Sequence, residues 1–233
     1  GLDEEVFETI VKSIAATSKK AKVPIVTGDT KVVEKGAIQE FMINTSGIGK
    51  RTKLLDDNFK EVRKYRKHKS NWLVDSNIES GDKIIISGNI GEHGIALMSY
   101  REGYGFETKV KSDVAPVNDL MNQALKEGGL VAAKDPTRGG LANTLNELSE
   151  KSQVGMLINE ENIPIPEGVR AACDLLGLDP LQIGNEGKAV IGVVKEKAED
   201  VLSIVRSHQL GKNAVIIGEA TKSVLGVVME TDV

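Results

Sequence analysis

An alternation of two apolar patterns, running from residue 83 to residue 229, constrains the fold more than any other feature of the chain. Short runs rich in β-branched residues, such as "KIIIS" and "AVIGVV", are separated by longer segments whose apolar residues recur with the helical period. Strands are expected at 83–87, 130–134, 154–158, 188–194, 214–218 and 224–229, and helices at 94–102, 115–127, 136–149, 167–176 and 197–208. This order predicts a two-layer α/β domain.

The beginning of the chain predicts a smaller α/β segment. In "LDEEVFETIVKSIAATSKK", Val6, Ile10 and Ile14 recur at helical spacing, with acidic residues first and lysines last, the order that a helix dipole favours. Strand-like runs follow at 23–27, 32–33 and 38–45. The chain begins inside the helical pattern and ends directly after a strand-like run, so we expect the natural protein to continue at both ends.

The segment 50–75 differs in composition, because it contains nine lysine and arginine residues and few apolar ones. This composition predicts a charged linker that carries a solvated helix. The alternative is an RNA-binding patch in which the rings of Tyr65 and Trp72 stack on bases.

The composition of the whole chain argues against several classes of function. The 30 Lys and Arg residues oppose 34 Asp and Glu residues, and the net charge of −4 gives no general attraction to nucleic acid or to an anionic membrane surface. A single cysteine, Cys173, excludes an intrachain disulfide and a cysteine-based metal cluster, and it favours a reducing, cytoplasmic location. No apolar run approaches the ~18 residues that a membrane span needs.

Two glycine-containing loops follow expected strands. In "TGDTK", Gly28 permits a turn, the Asp29 carboxylate suits Mg²⁺, and the Lys31 ammonium suits phosphate or the charge that develops in a transition state. An Asx-type turn with Lys31 in solvent explains the same residues. In "SGNIGEHG", the helix start suits a phosphate, although a tight strand-to-helix connection is favoured. His93 is either a helix-start residue or an acid or base.

Two later loops carry further candidates. In "KDPTRGG", Asp135 suits a helix N-cap, and Gly139 and Gly140 would each cost about 1 kcal/mol inside the helix that follows. Glycines beside an arginine at a helix start suggest close backbone approach to an anion, although packing against a neighbouring helix also explains them. In "GNEGK", Glu186 is either a general base on a rigid turn or part of an ordinary hairpin or bulge.

In this order, "VPIVTGDTKVV", "SGNIGEHGIALM", "DPTRGGLANTLNELSE" and "GNEGK" resemble the HypE family of hydrogenase maturation proteins, within the AIR synthase related (PurM-like) superfamily. The resemblance covers nearly the whole chain apart from residues 50–75. It implies that residues 1–49 are the remainder of an N-terminal ATP-binding domain that builds a β-barrel with a second subunit. Residues 50–76 are then a charged linker or insertion, residues 77–233 the C-terminal α/β domain, and ATP lies between the domains.

The resemblance also implies an activity. Proteins of the family use ATP to dehydrate a carbamoyl group, carried as a thiocarbamate on their C-terminal cysteine, to a thiocyanate whose cyanide goes to the iron of nickel–iron hydrogenase. The implied cofactors are ATP and Mg²⁺. The implied partners are a second copy of the chain in a homodimer, a HypF-like carbamoyl donor and a HypC–HypD-like complex.

The family's functional residues carry over by motif. Lys31 would stabilise the phosphorylated carbamoyl oxygen, Arg138 would contact phosphate or carbamoyl, and Glu186 would take the proton. Mg²⁺ would be held by Asp29 and Asp135. The other loop residues expected at the nucleotide are Gly28, Thr30, His93, Thr137, Gly139, Gly140, Asn185 and Lys188.

The sequence departs from the family pattern at both ends. The N-terminal nucleotide contacts and the C-terminal cysteine tail do not occur in it, and Cys173, on an amphipathic pattern, is expected to be a core residue. We therefore expect the chain alone to be inactive as a dehydratase. The alternatives are another PurM-like ATPase, such as an aminoimidazole ribonucleotide synthetase or a selenophosphate synthetase, and a non-catalytic scaffold for the maturation complex.

Overall fold

The structure, a computed structural model, describes residues 3–38, 41–101 and 110–231. The chain divides into two compact units, Gly1–Arg51 and Thr52–Val233. No helix within the described residues is both long enough and apolar enough to cross a membrane.

The first unit contains the amphipathic helix that the sequence predicts. Helix α1 (Glu4–Ala21) begins after Asp3, whose carboxylate accepts hydrogen bonds from the backbone N–H groups of Glu5 and Val6. It ends at Ala21, and the C-cap residue Lys22 adopts a left-handed conformation with φ of 56°. The capped start and the lysines of the last turn match the expected helix dipole pattern.

The expected strands of the first unit are not formed in the described residues. The chain at 23–33 and 41–50 follows no regular strand ladder, and residues 39 and 40, within the expected run 38–45, lie outside the described residues. A β-like sequence becomes a strand only when its backbone N–H and C=O groups pair with a neighbouring segment. The prediction of strands at 23–27, 32–33 and 38–45 is therefore wrong for the described chain.

The second unit is built on one six-stranded sheet. Its strands are β1 (Lys83–Ile86), β2 (Leu130–Lys134), β3 (Gly155–Asn159), β4 (Val190–Val193), β5 (Val215–Thr221) and β6 (Val227–Glu230). Their order in the sheet is β2-β4-β1-β5-β3-β6, and all neighbours are antiparallel except β3 and β6. The mixed α/β class is thus confirmed.

Helices cover both faces of this sheet. They are α2 (Lys53–Tyr65), α3 (Glu92–Arg101), α4 (Asn118–Glu127), α5 (Gly140–Ser152), α6 (Glu167–Leu176) and α7 (Ala198–Ser207). On β1, Ile84 and Ile86 belong to the same apolar cluster as Leu148 of α5, whereas Ile85 packs in a second cluster with Val205 of α7. Successive strand residues point to opposite faces, so both faces of the sheet contribute to the core.

Helix α2 packs into the second unit, contrary to the expected solvated linker. Phe59 and Val62 are 0% exposed and belong to the core cluster of α5. The side chain of the buried Asn58 accepts a hydrogen bond from the N–H of Leu130 at 2.9 Å and donates one to its C=O at 2.8 Å. The few apolar residues of α2 are spaced so that they lie along one face of the helix, and this face is buried. Residues 52–76 therefore belong to the second unit.

Much of the positive charge of this segment is paired locally. Lys60 lies 2.9 Å from Asp57, and Lys64 lies 2.5 Å from Glu61. The Arg63 guanidinium donates to the carbonyls of His68 and Ser70, which follow the helix. These contacts account for several of the basic residues without a nucleic acid.

Replacing Val62 by alanine is expected to lower the free energy of unfolding of the second unit by about 2 kcal/mol, because it removes buried methyl groups from the core. Chemical denaturation measures this change. The control is Lys60→Ala on the exposed face of the same helix, which should stay within about 0.5 kcal/mol of the wild type. Equal effects of the two substitutions would show that α2 does not pack as described.

Candidate active site

Three of the four predicted loops meet at the buried side chain of Asn185. Its Oδ1 accepts a hydrogen bond from the N–H of Gly91 at 2.7 Å, and its Nδ2 donates to the carbonyl of Pro136 at 3.1 Å. Nδ2 also donates to the carbonyl of Ile183 at 3.0 Å, and the backbone N–H of Asn185 donates to Pro136 at 3.1 Å. Asn185 is 0% exposed and its amide is engaged within the protein, so it joins the loops and cannot contact a nucleotide as predicted.

The entry to α5 lies at this junction and differs from the expected helix start. The helix begins at Gly140 and not near 136, because Gly139 and Gly140 adopt left-handed conformations with φ of 70° and 62°. A Cβ on Gly140 would lie 2.4 Å from the carbonyl oxygen of Leu181. Asp135 is therefore not the N-cap, and the left-handed conformation and backbone packing together explain both glycines.

This helix start nevertheless presents features that suit an anion. No side chain caps the first turn of α5, and Gly139 occupies the N-cap position. Arg138, immediately before it, is exposed, as is Asp135. Uncapped N–H groups and a guanidinium at the same helix end together favour a phosphate or carboxylate.

The loop "GNEGK" lies directly against this helix start. A Cβ on Gly184 would be 2.7 Å from the carbonyl oxygen of Thr137, so the two loops touch backbone to backbone. Glu186, two residues later, has an exposed side chain. The structure therefore brings Thr137, Arg138 and Glu186 to neighbouring loops at one end of α5.

Lys188 is placed differently from the prediction. Its side chain is only 10% exposed, and its Nζ lies 3.1 Å from Oδ2 of Asp113 and 3.5 Å from Oε2 of Glu92. Its Cε lies 3.3 Å from the position that a Cβ on Gly88 would occupy. An ammonium held between two carboxylates is not free to contact a nucleotide, so the structure gives Lys188 a role in internal charge neutralisation.

The loop "SGNIGEHG" serves packing and hydrogen bonding within the second unit. The N–H of Gly91 is engaged by Asn185, and that of Gly94 donates to the carbonyl of Gly184 at 3.2 Å. A Cβ on Gly94 would lie 2.5 Å from Cγ2 of Ile183. His93 is partly exposed, with Nδ1 2.9 Å from Oγ of Ser112. These contacts favour the interpretation of this loop as a tight strand-to-helix connection and not as a phosphate-binding loop.

The remaining predicted residues lie in the first unit. Gly28, Asp29, Thr30 and Lys31 are exposed, and Oδ1 of Asp29 accepts the N–H of Thr30 at 2.9 Å. Within the described residues, the His, Cys, Asp and Glu side chains form no group of three or more that could hold a metal ion. A magnesium ion would therefore need oxygen ligands from a bound phosphate in addition to Asp29 or Asp135.

A network of charged and polar side chains contacts the start of α5. Nδ2 of Asn143 donates to the carbonyl of Arg138 at 3.2 Å and to Oε1 of Glu147 at 2.8 Å. Glu147 also pairs with Lys134 and Lys151, and both lysines contact Asp75. The hydrogen bond from Lys134, followed by those from Lys151 and Asn143, lowers the pKa of Glu147 to about 2.

Glu147 should make stability depend on pH in acid. Because its pKa in the folded state is about 2, below the ordinary value of 4.5, its contribution is complete above pH 4.5 and is lost as pH falls toward 2. The melting temperature of the wild type should consequently fall more between pH 5 and pH 2 than that of Glu147→Gln. Glu150→Gln, an exposed change on the same helix, is the control and should follow the wild-type curve. Parallel curves for Glu147→Gln and the wild type would contradict the expectation.

Comparison with known proteins identifies the family of this chain. Residues 79–230 match the family model of the AIR synthase related protein C-terminal domain, and residues 1–50 match that of the N-terminal domain. The carbamoyl dehydratase HypE of Bradyrhizobium diazoefficiens is 44% identical over 92% of this chain and 58% of its own length. A protein of Methanocaldococcus jannaschii, described as a hydrogenase expression/formation protein, is 52% identical over 99% of this chain and 64% of its own length.

The chain belongs to the HypE family of AIR synthase related proteins. A solved chain from a HypE–HypF complex is similar with a TM-score of 0.83 and 39% identity, over 99% of this chain and 70% of that one. A HypE structure in complex with ATP has a TM-score of 0.82 and 35% identity, over 99% of this chain and 67% of that one. The chain spans less than two thirds of the length of the two relatives named above.

Two side chains that shape this HypE-family site were missed by sequence reasoning. Asp113 lies in "VKSDVAP", which matches no motif, and Asn143 lies within a helix where an exposed asparagine attracts no attention. Asp113 is 73 positions from its partner Glu186 in the sequence, and Asn143 is five positions from its partner Arg138. Only the spacing of Asn143 and Glu147, one helical turn, offered a local signal.

Proposed function

We propose that the full-length gene product is an ATP-dependent carbamoyl dehydratase that converts a cysteine-bound thiocarbamate to a thiocyanate for hydrogenase maturation. Membership of the HypE family supports this proposal. One structural observation carries it for this chain. Asn185 joins three of the predicted loops, two of which carry the exposed Arg138 and Glu186, and Arg138 directly precedes the uncapped start of α5.

The chemistry requires both a phosphate-binding group and a base. The carbamoyl oxygen is a poor leaving group, so it first attacks the γ-phosphorus of ATP, an N–H proton is lost, and ADP leaves. The C–O bond of the phosphorylated intermediate then breaks, inorganic phosphate departs, and loss of the remaining N–H proton leaves the carbon–nitrogen triple bond. Positive charge must offset the growing phosphate charge, and a base must accept the protons.

The residues of this chain can supply these functions. Glu186, exposed on a turn that Asn185 anchors, would accept a proton from the carbamoyl nitrogen. Arg138 and the first N–H groups of α5 would bind phosphate, with Thr137 beside them. Lys31, exposed in the first unit, would neutralise the phosphorylated oxygen. Mg²⁺ bound with ATP would reduce phosphate charge, and Asp29 and Asp135 would be its protein ligands.

The thiol that carries the carbamoyl group must be other than Cys173. That side chain is 1% exposed in a cluster with Ile95 and Val169, and burial raises the pKa of its thiol. A buried neutral thiol is a poor nucleophile. We therefore assign the carrier role to the tail cysteine that the family resemblance implies.

The proposed partners follow from the same family. A HypE–HypF complex has been solved for a similar chain, which supports a HypF-like donor here. A homodimer is supported by exposed apolar side chains of the first unit, including Val26 and Val32, which are 87% and 90% exposed. A HypC–HypD-like complex as cyanide acceptor and a cytoplasmic location rest on the family resemblance.

The test is to carbamoylate the cysteine of the full-length gene product with a HypF-like donor and then add ATP. Mass spectrometry of the carrier peptide should show the loss of one water mass with ATP and no loss with a non-hydrolysable analogue. A carbamoylated peptide whose mass is unchanged while ATP is hydrolysed would contradict the proposal. Turnover that survives Lys31→Ala would contradict the role given to that residue.

A further inference from the structure

Asp113 lies against the turn that carries Glu186. Its carboxylate is 2% exposed, and its Oδ1 accepts a hydrogen bond from the backbone N–H of Glu186 at 3.1 Å. Its Oδ2 lies 3.1 Å from Nζ of Lys188. One buried side chain therefore contacts the residues on both sides of Gly187.

The backbone around Asp113 is fitted closely to the same turn. A Cβ on Gly187 would lie 1.9 Å from the carbonyl oxygen of Asp113, so only glycine permits this approach. On the preceding residue, Oγ of Ser112 accepts the N–H of Val114 at 3.3 Å and lies 2.9 Å from Nδ1 of His93. Asp113 is thus held from two directions.

The charges explain why a carboxylate is tolerated in this buried position. An unpaired buried carboxylate is costly, but the ammonium of Lys188 neutralises Asp113. An ionised acceptor also forms a stronger hydrogen bond with an N–H group than a neutral one. The pair therefore provides a fixed and largely buried acceptor for the Glu186 amide.

We propose that Asp113 is a positioning residue, which holds the Glu186 turn through the backbone N–H and so orients the Glu186 carboxylate for proton abstraction. Lys188, whose Nζ lies 3.1 Å from Oδ2 of Asp113, holds this carboxylate in place. This inference rests on the proposed function, because it takes Glu186 as the base. It adds a residue that touches neither ATP nor the carbamoyl group.

The test compares two double variants of the full-length gene product that remove both buried charges. Asp113→Asn with Lys188→Met retains an acceptor oxygen for the Glu186 N–H, whereas Asp113→Leu with Lys188→Met does not. We expect kcat for water loss to be about 10 to 100 times lower in the leucine variant than in the asparagine variant, since a misplaced catalytic group costs about this much. The dissociation constant for ATP should agree within about twofold between the two, because Asp113 does not contact the nucleotide.

Hydrogen exchange of the Glu186 amide gives a readout that does not depend on activity. The amide should exchange slowly in the asparagine variant and at least about tenfold faster in the leucine variant. Equal kcat values, or equal exchange rates, would overturn the positioning role. A different outcome would overturn the proposed function and leave the contact in place. In that outcome, the Glu186 amide exchanges slowly in the asparagine variant and fast in the leucine variant, but the wild type never removes water from the carrier peptide.

Discussion

Glu186→Gln is expected to lower the rate of ATP-dependent water loss by about 10²- to 10⁴-fold, the range for removing a general base. Glutamine preserves the size of the side chain, and its backbone N–H can still donate to Asp113. Only the carboxylate that accepts the proton is lost. Because the side chain is exposed on an anchored turn, the substitution should leave the fold and the melting temperature unchanged. Single-turnover mass measurements on the carrier peptide give the rate.

The matched control for this prediction is Glu196→Gln, an exposed carboxylate before α7. It should keep the wild-type rate. Calorimetry should show that Glu186→Gln still binds ATP, since the proposed phosphate contacts come from Arg138 and the α5 start. Wild-type turnover in Glu186→Gln would exclude Glu186 as the base, and joint loss of ATP binding and turnover would indicate a role in nucleotide binding.

Asn185→Ala is expected to destabilise the second unit by about 2–4 kcal/mol, which corresponds to a fall of about 5–15 °C in melting temperature. The substitution leaves the buried N–H of Gly91 and the carbonyls of Pro136 and Ile183 without their side-chain partner. It also removes the link between the loops that carry Arg138 and Glu186. Differential scanning calorimetry measures the thermal shift.

Asn146→Ala is the control for this structural effect. Asn146 is an exposed asparagine of α5, whose Nδ2 donates to the carbonyl of Ala142 at 2.8 Å, so its removal leaves a group that water can satisfy. Its melting temperature should change by no more than about 2 °C. If the two variants have the same melting temperature, Asn185 does not join the loops as described.

The elements of the second unit were largely predictable because their signals are local. Helix α6 occupies residues 167–176 as expected, since Pro166 precedes it and Gly177 ends it in a left-handed conformation. The strand cores also agree, with ends displaced by a few residues. The sequence predicts the helix α2 but not its burial, because a few apolar residues in a segment with nine basic residues, 50–75, form only a weak apolar stripe.

The geometry of the site was less predictable because it depends on contacts between distant segments. The sequence suggested that Gly139 and Gly140 lie within a helix, whereas backbone contact with Leu181 and left-handed conformations place them at its entry. The sequence predicts that Asn185 contacts the nucleotide. In the structure its side chain instead bonds Gly91 and Pro136, which are 94 and 49 positions away in the sequence. No pattern in a single sequence reveals such pairings.

The amide of Asn58 also determines where the sheet can be extended. By accepting the N–H and donating to the C=O of Leu130, it acts as a surrogate peptide group and occupies the outer side of the first residue of β2. Strand β6, at the opposite border, has no such surrogate among the described residues, and Val228 within it is 38% exposed. A strand that added to the β2 border would have to displace Asn58, so α2 protects this border from edge-to-edge association.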